Sequence, residues 1–234
     1  MATGEQPREH PSAAGGGENA LHVLARGPWE IERISASWLE SSFEPTEAQS
    51  EAADEAIRGL RDRGSPSHDG VAARLVDYRT DDHGIEIELQ PQRWALRLVE
   101  GDASLSVAAL CVTRSADGRW LAGRRAPWVA SWAGRWALGA GGAVDLNENP
   151  AHTLVRELHE EWSVEPERVL GEALIKLPHG LVMFVGQAWL AEGVDQEVSP
   201  DDEHDEFQWW PADIEDWPAE AGEALPRMAS WLSR

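Results

Sequence analysis

The chain has 234 residues, 42% of them apolar, 13 of them Trp, with a formal net charge of -22. That length suits one generous domain, or a domain with a smaller appendage. The charge argues against a nucleic-acid partner, whose phosphates need Lys and Arg, and against an anionic membrane surface. The single cysteine, Cys111, excludes an intrachain disulfide and a Cys-rich zinc site.

Residues 1–20 are rich in Gly, Pro and charge and hold no apolar run, so they read as a disordered leader rather than a signal peptide. No stretch approaches the ~20 apolar residues of a membrane span, and a cytoplasmic location is expected. Apolar and polar residues alternate from Leu21 to Ile34, as in a strand. Thr46-Glu47-Ala48-Gln49 then supplies a capping box for a helix ending near Gly64, with Ala48, Ala52, Ala56 and Leu60 as its expected buried stripe.

Between Val71 and Val99 the pattern returns to strands. Ala73, Leu75 and Asp77 alternate with Arg74, Val76 and Tyr78, a turn is expected at 80–84, and Ile85, Ile87 and Leu89 alternate with Glu86, Glu88 and Gln90. Residues 21–103 therefore read as a small α+β region without a catalytic motif.

A second region starts at Ser104 and continues to Arg234. Leu105–Val112 and Trp120–Gly123 flank a turn at Ser115–Gly118, and Cys111 falls in the first of these strands as a core thiol. A loop carrying Trp128, Trp132 and Trp136 follows, then the run Gly139-Ala140-Gly141-Gly142. Further on lie a strand at Leu181–Leu190, a long acidic loop, and a terminal helix over Ala219–Leu232 that Pro226 must interrupt or bound. His179, ahead of Gly180, reads as a turn residue.

The chemistry concentrates between Gly141 and Val164. Asn149-Pro150 is a strong helix start. On the helix it opens, Ala151, Leu154, Val155, Leu158 and Trp162 fall on one side. Glu157, Glu160 and Glu161 fall on another, roughly 120° away. Like charges at these spacings cost a few tenths of a kcal/mol per pair, and only Arg156 offsets them. A hard divalent cation removes the conflict, because Mg²⁺ prefers oxygen ligands.

Gly142, Glu148, Arg156-Glu157-Leu158, Glu160-Glu161 and Val164 resemble the Nudix box at its full spacing. Two positions depart: Ser163 stands where the box has Gly, and no Pro precedes the paired Gly residues. The resemblance spans 104–234, a little over half the chain. It implies an α/β/α sandwich with a mixed sheet, here preceded by the small α+β region, within an α+β class overall.

The resemblance further implies hydrolysis of a nucleoside diphosphate linked to another moiety, with Mg²⁺ or Mn²⁺ as cofactor. Glu157, Glu160 and Glu161 are then the metal ligands, and Glu157 also orients or deprotonates water. Arg156 holds the carboxylates, Glu148 braces the loop, and Gly141 and Gly142 let backbone approach metal and phosphate. Arg124 and Arg125 are candidates to bind phosphate, and Glu203 and Glu206 are candidates for a loop base or extra ligand. Trp128 or Trp132 is a candidate to stack on a base.

The partner is expected to be a small nucleotide, with a homodimer as an assembly to consider. The segment preceding the box resembles the arrangement in some nucleotide-sugar and ADP-ribose hydrolases, which favours those substrates. One alternative is an isopentenyl diphosphate isomerase-like enzyme, which would need Cys111 as its catalytic thiol. Another is a nucleotide-binding module without activity.

Overall fold

The computed structural model describes residues 21–65, 69–99 and 105–234. The expected leader, 1–20, lies outside them. Two sheets organise the described residues. The larger runs β1 (His22–Glu30), β9 (Arg168–Lys176), β10 (Val182–Trp189), β5 (Val107–Arg114), β6 (Trp120–Arg125), β11 (His204–Trp210). Two short strands join it: β7 (Trp136–Leu138) on β6, and β8 (Ala140–Ala143) on β5. Only β10 and β5 pair in parallel within this sheet, so it is mixed. The smaller sheet has the order β2 (Ile34–Trp38), β4 (Gly84–Arg93), β3 (Val71–Asp81).

Side chains alternate across the large sheet and divide the core in two. On one face Val107, Ala109 and Cys111 of β5 meet Leu154, Leu158 and Trp162 of helix α2 (Pro150–Trp162), together with Ile85, Ile87 and Leu89 of β4. On the other, Val112, Trp120 and Ala122 pack with Trp210 and with Leu225, Ala229 and Leu232 of helix α3 (Ala224–Leu232). The sandwich therefore has α2 and the small sheet on one side and α3 on the other. Although β1 precedes residue 104 in sequence, it is an edge strand of the large sheet, antiparallel to β9.

Several expectations need correction. Helix α1 (Glu47–Asp62) has the capping box, with Thr46 accepting from the Gln49 amide, but it buries Ala53, Ile57 and Leu60. Ala48 and Ala52 are exposed. The stripe is turned because Ile57 offers more apolar area than the alanines, and it packs on Ala95 and Leu96. In β3 a register shift between Leu75 and Asp77 breaks the alternation, leaving Asp77 exposed while Tyr78 packs on the core.

Trp94–Leu98 form a 3-10 turn rather than strand. The Gly-rich run is not loop throughout, since Ala140–Ala143 pair with Ala108–Cys111. The terminal helix is shorter than expected, starting at Ala224 with Pro226 in its first turn, where a missing N–H costs nothing. Among the described residues no helix is long and apolar enough to cross a membrane.

Candidate active site

Helix α2 begins where the sequence demands. The Asn149 side chain accepts from the Ala151 amide at 2.9 Å, and its own amide donates to the Ile34 carbonyl at 2.8 Å. The helix start is thus tied to the N-terminal region, as is the preceding loop, where Trp38 Nε1 donates to the Glu148 carbonyl at 3.0 Å. At its far end, Ser163 takes the left-handed conformation, φ 58° and ψ 29°.

Arg156 is the hub of the exposed side of this helix. Its Nε and Nη2 donate to the two oxygens of Glu148 at 2.9 and 3.0 Å, and Nη2 also reaches the Ala143 carbonyl. Its Nη1 is 2.8 Å from Glu157 Oε1 and 2.8 Å from Glu160 Oε2. Hydrogen bonding to Glu148 holds the Arg156 guanidinium above its ordinary pKa. Burial pushes Glu148 up, but hydrogen bonds from Arg156 and Thr153 prevail and hold it below the usual range. Glu148 Oε2 also accepts from Thr153 Oγ1 and the Asp145 amide, closing the loop onto the helix.

The three acidic side chains of the helix have different environments. Glu160 is exposed, while Glu157 and Glu161 are buried. Burial pushes Glu157 up to about 7 against the opposing charge of Arg156. Burial also pushes Glu161 well above its ordinary value, opposed by Arg125 and a hydrogen bond from Gly141. Glu161 Oε1 accepts from the Gly141 amide at 3.0 Å, while its Oε2 is buried and has no hydrogen bond among the described residues. Gly142 faces Glu157 so closely that a Cβ there would lie 2.0 Å from Oε1. Any side chain at 142 would push the Glu157 carboxylate out of this position.

Arg124 and Arg125 are consecutive on β6 and therefore point to opposite faces. Arg125 turns toward α2, its Nη1 3.6 Å from Glu161 Oε2 and its Nη2 2.8 Å from Glu203 Oε2. Arg124 faces away, pairing with Asp205 at 2.7 Å and Glu206 at 3.2 Å beside Trp136 and Gln208. The two loop acids separate in the same manner. Glu203 stands with Arg125 beside Glu161, whereas Glu206 is the cross-strand partner of Arg124 on the other face. Arg124 and Glu206 are thus placed away from the carboxylates, contrary to the sequence expectation.

Arg97 escaped the sequence reading. It lies in the 3-10 turn of the N-terminal region, over the Trp94 ring at 5.2 Å, and its charge acts on Glu157, Arg125 and Glu203. Burial pushes its guanidinium pKa down. Among the described residues no carboxylate lies within ion-pair distance of it. No sequence signal marks it, because its segment reads as strand and carries no motif. Of the loop tryptophans, Trp132 is half exposed with φ 59° and Trp128 is partly buried. His179 sits in the turn between β9 and β10.

The fit to a divalent cation has two sides. Among the described residues no three His, Cys, Asp or Glu side chains form a ready-made ion site. Arg156 supplies the counter-charge and draws Glu157 and Glu160 to itself. The donor set is nonetheless right for a hard ion: carboxylates only, two of them desolvated, one with an orphaned buried oxygen. Mg²⁺ keeps several waters and needs one or two protein carboxylates, so a full cage is not required. The residues fit. Cys111 does not suit nucleophilic chemistry, since it is buried in β5 and its thiol is pushed up to about 12 by that burial.

A family model described as "NUDIX domain" matches residues 104–232. No curated protein matches the chain. Similar solved structures include the MutT protein from Methanosarcina mazei Go1, at 22% identity over 55% of this chain and 91% of that one, with a TM-score of 0.40. DR0079 from Deinococcus radiodurans is 20% identical over 55% of this chain and 83% of that one, with a TM-score of 0.44. An Ap4A hydrolase from C. elegans, solved as a binary complex, is 20% identical over 55% and 93% of the two chains, with a TM-score of 0.38.

Proposed function

This chain belongs to the NUDIX family of hydrolases acting on pyrophosphate bonds, and on that premise we propose that it cleaves a nucleoside diphosphate linked to another moiety, of the nucleotide-sugar or ADP-ribose type. The observation that carries the reading is the pair Glu157 and Glu161. Both are buried acids brought against Gly142 and Gly141 at a strand edge, one of them with an oxygen that accepts no hydrogen bond among the described residues.

Nudix hydrolases generally need divalent metal ions, and Glu157, Glu160 and Glu161 are the residues we assign to hold one. The ion supplies Lewis acidity toward the highly charged pyrophosphate. The protein supplies the rest. Arg125, between Glu161 and Glu203, carries a cation to the phosphate side of the site. Arg97 adds a second from the N-terminal region. Glu157 keeps Oε1 on Arg156, which leaves Oε2 to take the proton from attacking water as the bond to the leaving phosphate breaks. Glu203, anchored through its amide to Asp201, is the alternative acceptor.

The substrate class is favoured by the N-terminal region, which is bonded to the motif loop through Trp38 and to the helix start through Asn149. A second phosphate-linked moiety would meet Arg97 there. The half-exposed Trp132, held in a left-handed conformation that a bulky residue adopts at some cost, is the candidate to stack a base. The test is incubation with Mg²⁺ and a panel of nucleotide sugars, ADP-ribose, dinucleotides and nucleoside triphosphates. Nucleoside monophosphate and a phosphosugar from the first two groups, abolished by chelator, are expected. Full turnover in excess chelator would overturn the metal assignment, and preference for triphosphates or dinucleotides would overturn the substrate class.

A further inference from the structure

Gly141 holds one oxygen of Glu161, and a histidine faces the other. His204 begins β11, and its side chain is 1% exposed. Its ring lies tilted against Trp162, with centroids 4.4 Å apart and planes 37° apart, in a slot that exists because residue 123 is glycine. A Cβ on Gly123 would lie 2.5 Å from His204 Cδ2 and 2.7 Å from the Trp162 ring. Nδ1 is 3.4 Å from Asp201 Oδ1. The Asp201 amide in turn donates to the Glu161 carbonyl at 2.9 Å, so the segment carrying His204 is tied to the end of α2.

Among the described residues Nε2 of His204 has no hydrogen bond, and it faces Glu161 Oε2, also buried and without one, at 3.6 Å. Two buried polar atoms that face each other without hydrogen bonds are costly apart and favourable together. A contraction of about half an ångström brings them to ordinary hydrogen-bond distance. Arg125 Nη1 is also 3.6 Å from this oxygen.

We propose that His204 is the positioning residue of Glu161, donating from Nε2 to Oε2 and fixing the carboxylate in the orientation in which Gly141 takes Oε1. This rests on Glu161 being a metal ligand, and it adds that its aim is set from within the core by an imidazole. Ligands held in this way lose affinity for the ion when the supporting group is removed.

The experiment measures Mn²⁺ alone binding to the purified full chain, by the electron paramagnetic resonance signal of free Mn²⁺, without nucleotide. His204→Gln retains an N–H near the Nε2 position, and His204→Leu removes it. The expected result is affinity within about threefold of wild type for His204→Gln and a loss of about 10–100-fold for His204→Leu. Saturating Mn²⁺ should then restore kcat in the leucine variant. A folded His204→Leu protein that binds as wild type does, or equal losses in both variants, overturns the proposal. A wild type that takes up no Mn²⁺ instead overturns the metal reading on which it rests.

Should His204→Leu not fold, the side-chain ¹H–¹⁵N spectrum of the wild type decides, with the His204 signal identified by its absence from His204→Gln. A protonated Nε2 whose shift moves on Glu161→Gln supports the proposal. An Nε2 without a proton, or one indifferent to that substitution, overturns it.

Discussion

Gly142 and Glu157 stand closer than any pair of side chains could: a Cβ on residue 142 would lie 2.0 Å from Oε1, 2.3 Å from Cδ and 2.6 Å from Oε2 of the carboxylate. The atoms in the way are the far end of a flexible side chain, so Gly142→Ala displaces the carboxylate rather than the backbone. The expected outcome is a fall in kcat on the order of 10²-fold, as a misplaced catalytic group produces, with the melting temperature nearly unchanged. Wild-type turnover in the alanine variant would show that Glu157 does not work from this position.

The alternation of β6 sets up a contrast between neighbours. Arg125→Ala removes the cation between Glu161 and Glu203, and a loss of about 10²-fold in kcat/KM is expected. Arg124→Ala touches only the acids of the opposite face, and activity within about threefold of wild type is expected. Steady-state kinetics on both variants check this. Equal losses would mean that substrate reaches across the sheet edge.

That contrast shows where the sequence was legible and where it was not. The helix was legible: Asn149, Pro150 and the stripe from Ala151 to Trp162 are a local code of capping and period, and they set the helix from Pro150 to Trp162. The mixed sandwich followed from the box. Strand β9 was missed, because Val169, Leu170, Ala173, Leu174 and Ile175 are buried on both faces and show no alternation to read. Arg124 and Arg125 looked alike until a strand direction separated them. The convergence of Arg97, Arg125, Glu203 and His204 on one helix depends on contacts between segments up to about a hundred residues apart, which no local pattern encodes.

Glu157 links the site to stability. Its carboxyl is pushed from 4.5 to about 7 by burial, so the folded protein holds this proton more tightly than the unfolded chain does. The stability this confers is complete below about 4.5 and is lost as pH rises through about 7. In metal-free protein Glu157→Gln removes the penalty, and at pH 8 it should stabilise by about 1–3 kcal/mol, with little effect at pH 4.5. Denaturant melts in chelator at the two pH values measure it. A variant destabilised equally at both would mean that the Arg156 pair outweighs the burial.

Ser163 closes the helix at φ 58° and ψ 29°, with its amide on the His159 carbonyl at 2.9 Å. This is the left-handed region, in which an L side chain other than Asn or Asp costs roughly 1–2 kcal/mol. Glycine removes that strain but adds freedom to the unfolded chain, which takes back part of the gain. Ser163 is exposed, so no packing is lost on substitution. Ser163→Gly should therefore stabilise by about 0.5–1 kcal/mol in denaturant melts. Turnover should not change, because Glu157, Glu160 and Glu161 all precede the cap and keep their helical positions. A destabilised variant would mean that the Ser163 hydroxyl holds the cap by a contact worth more than its backbone strain. A stabilised but inactive one would mean that the segment after the helix, from Val164 onward, takes part in the site.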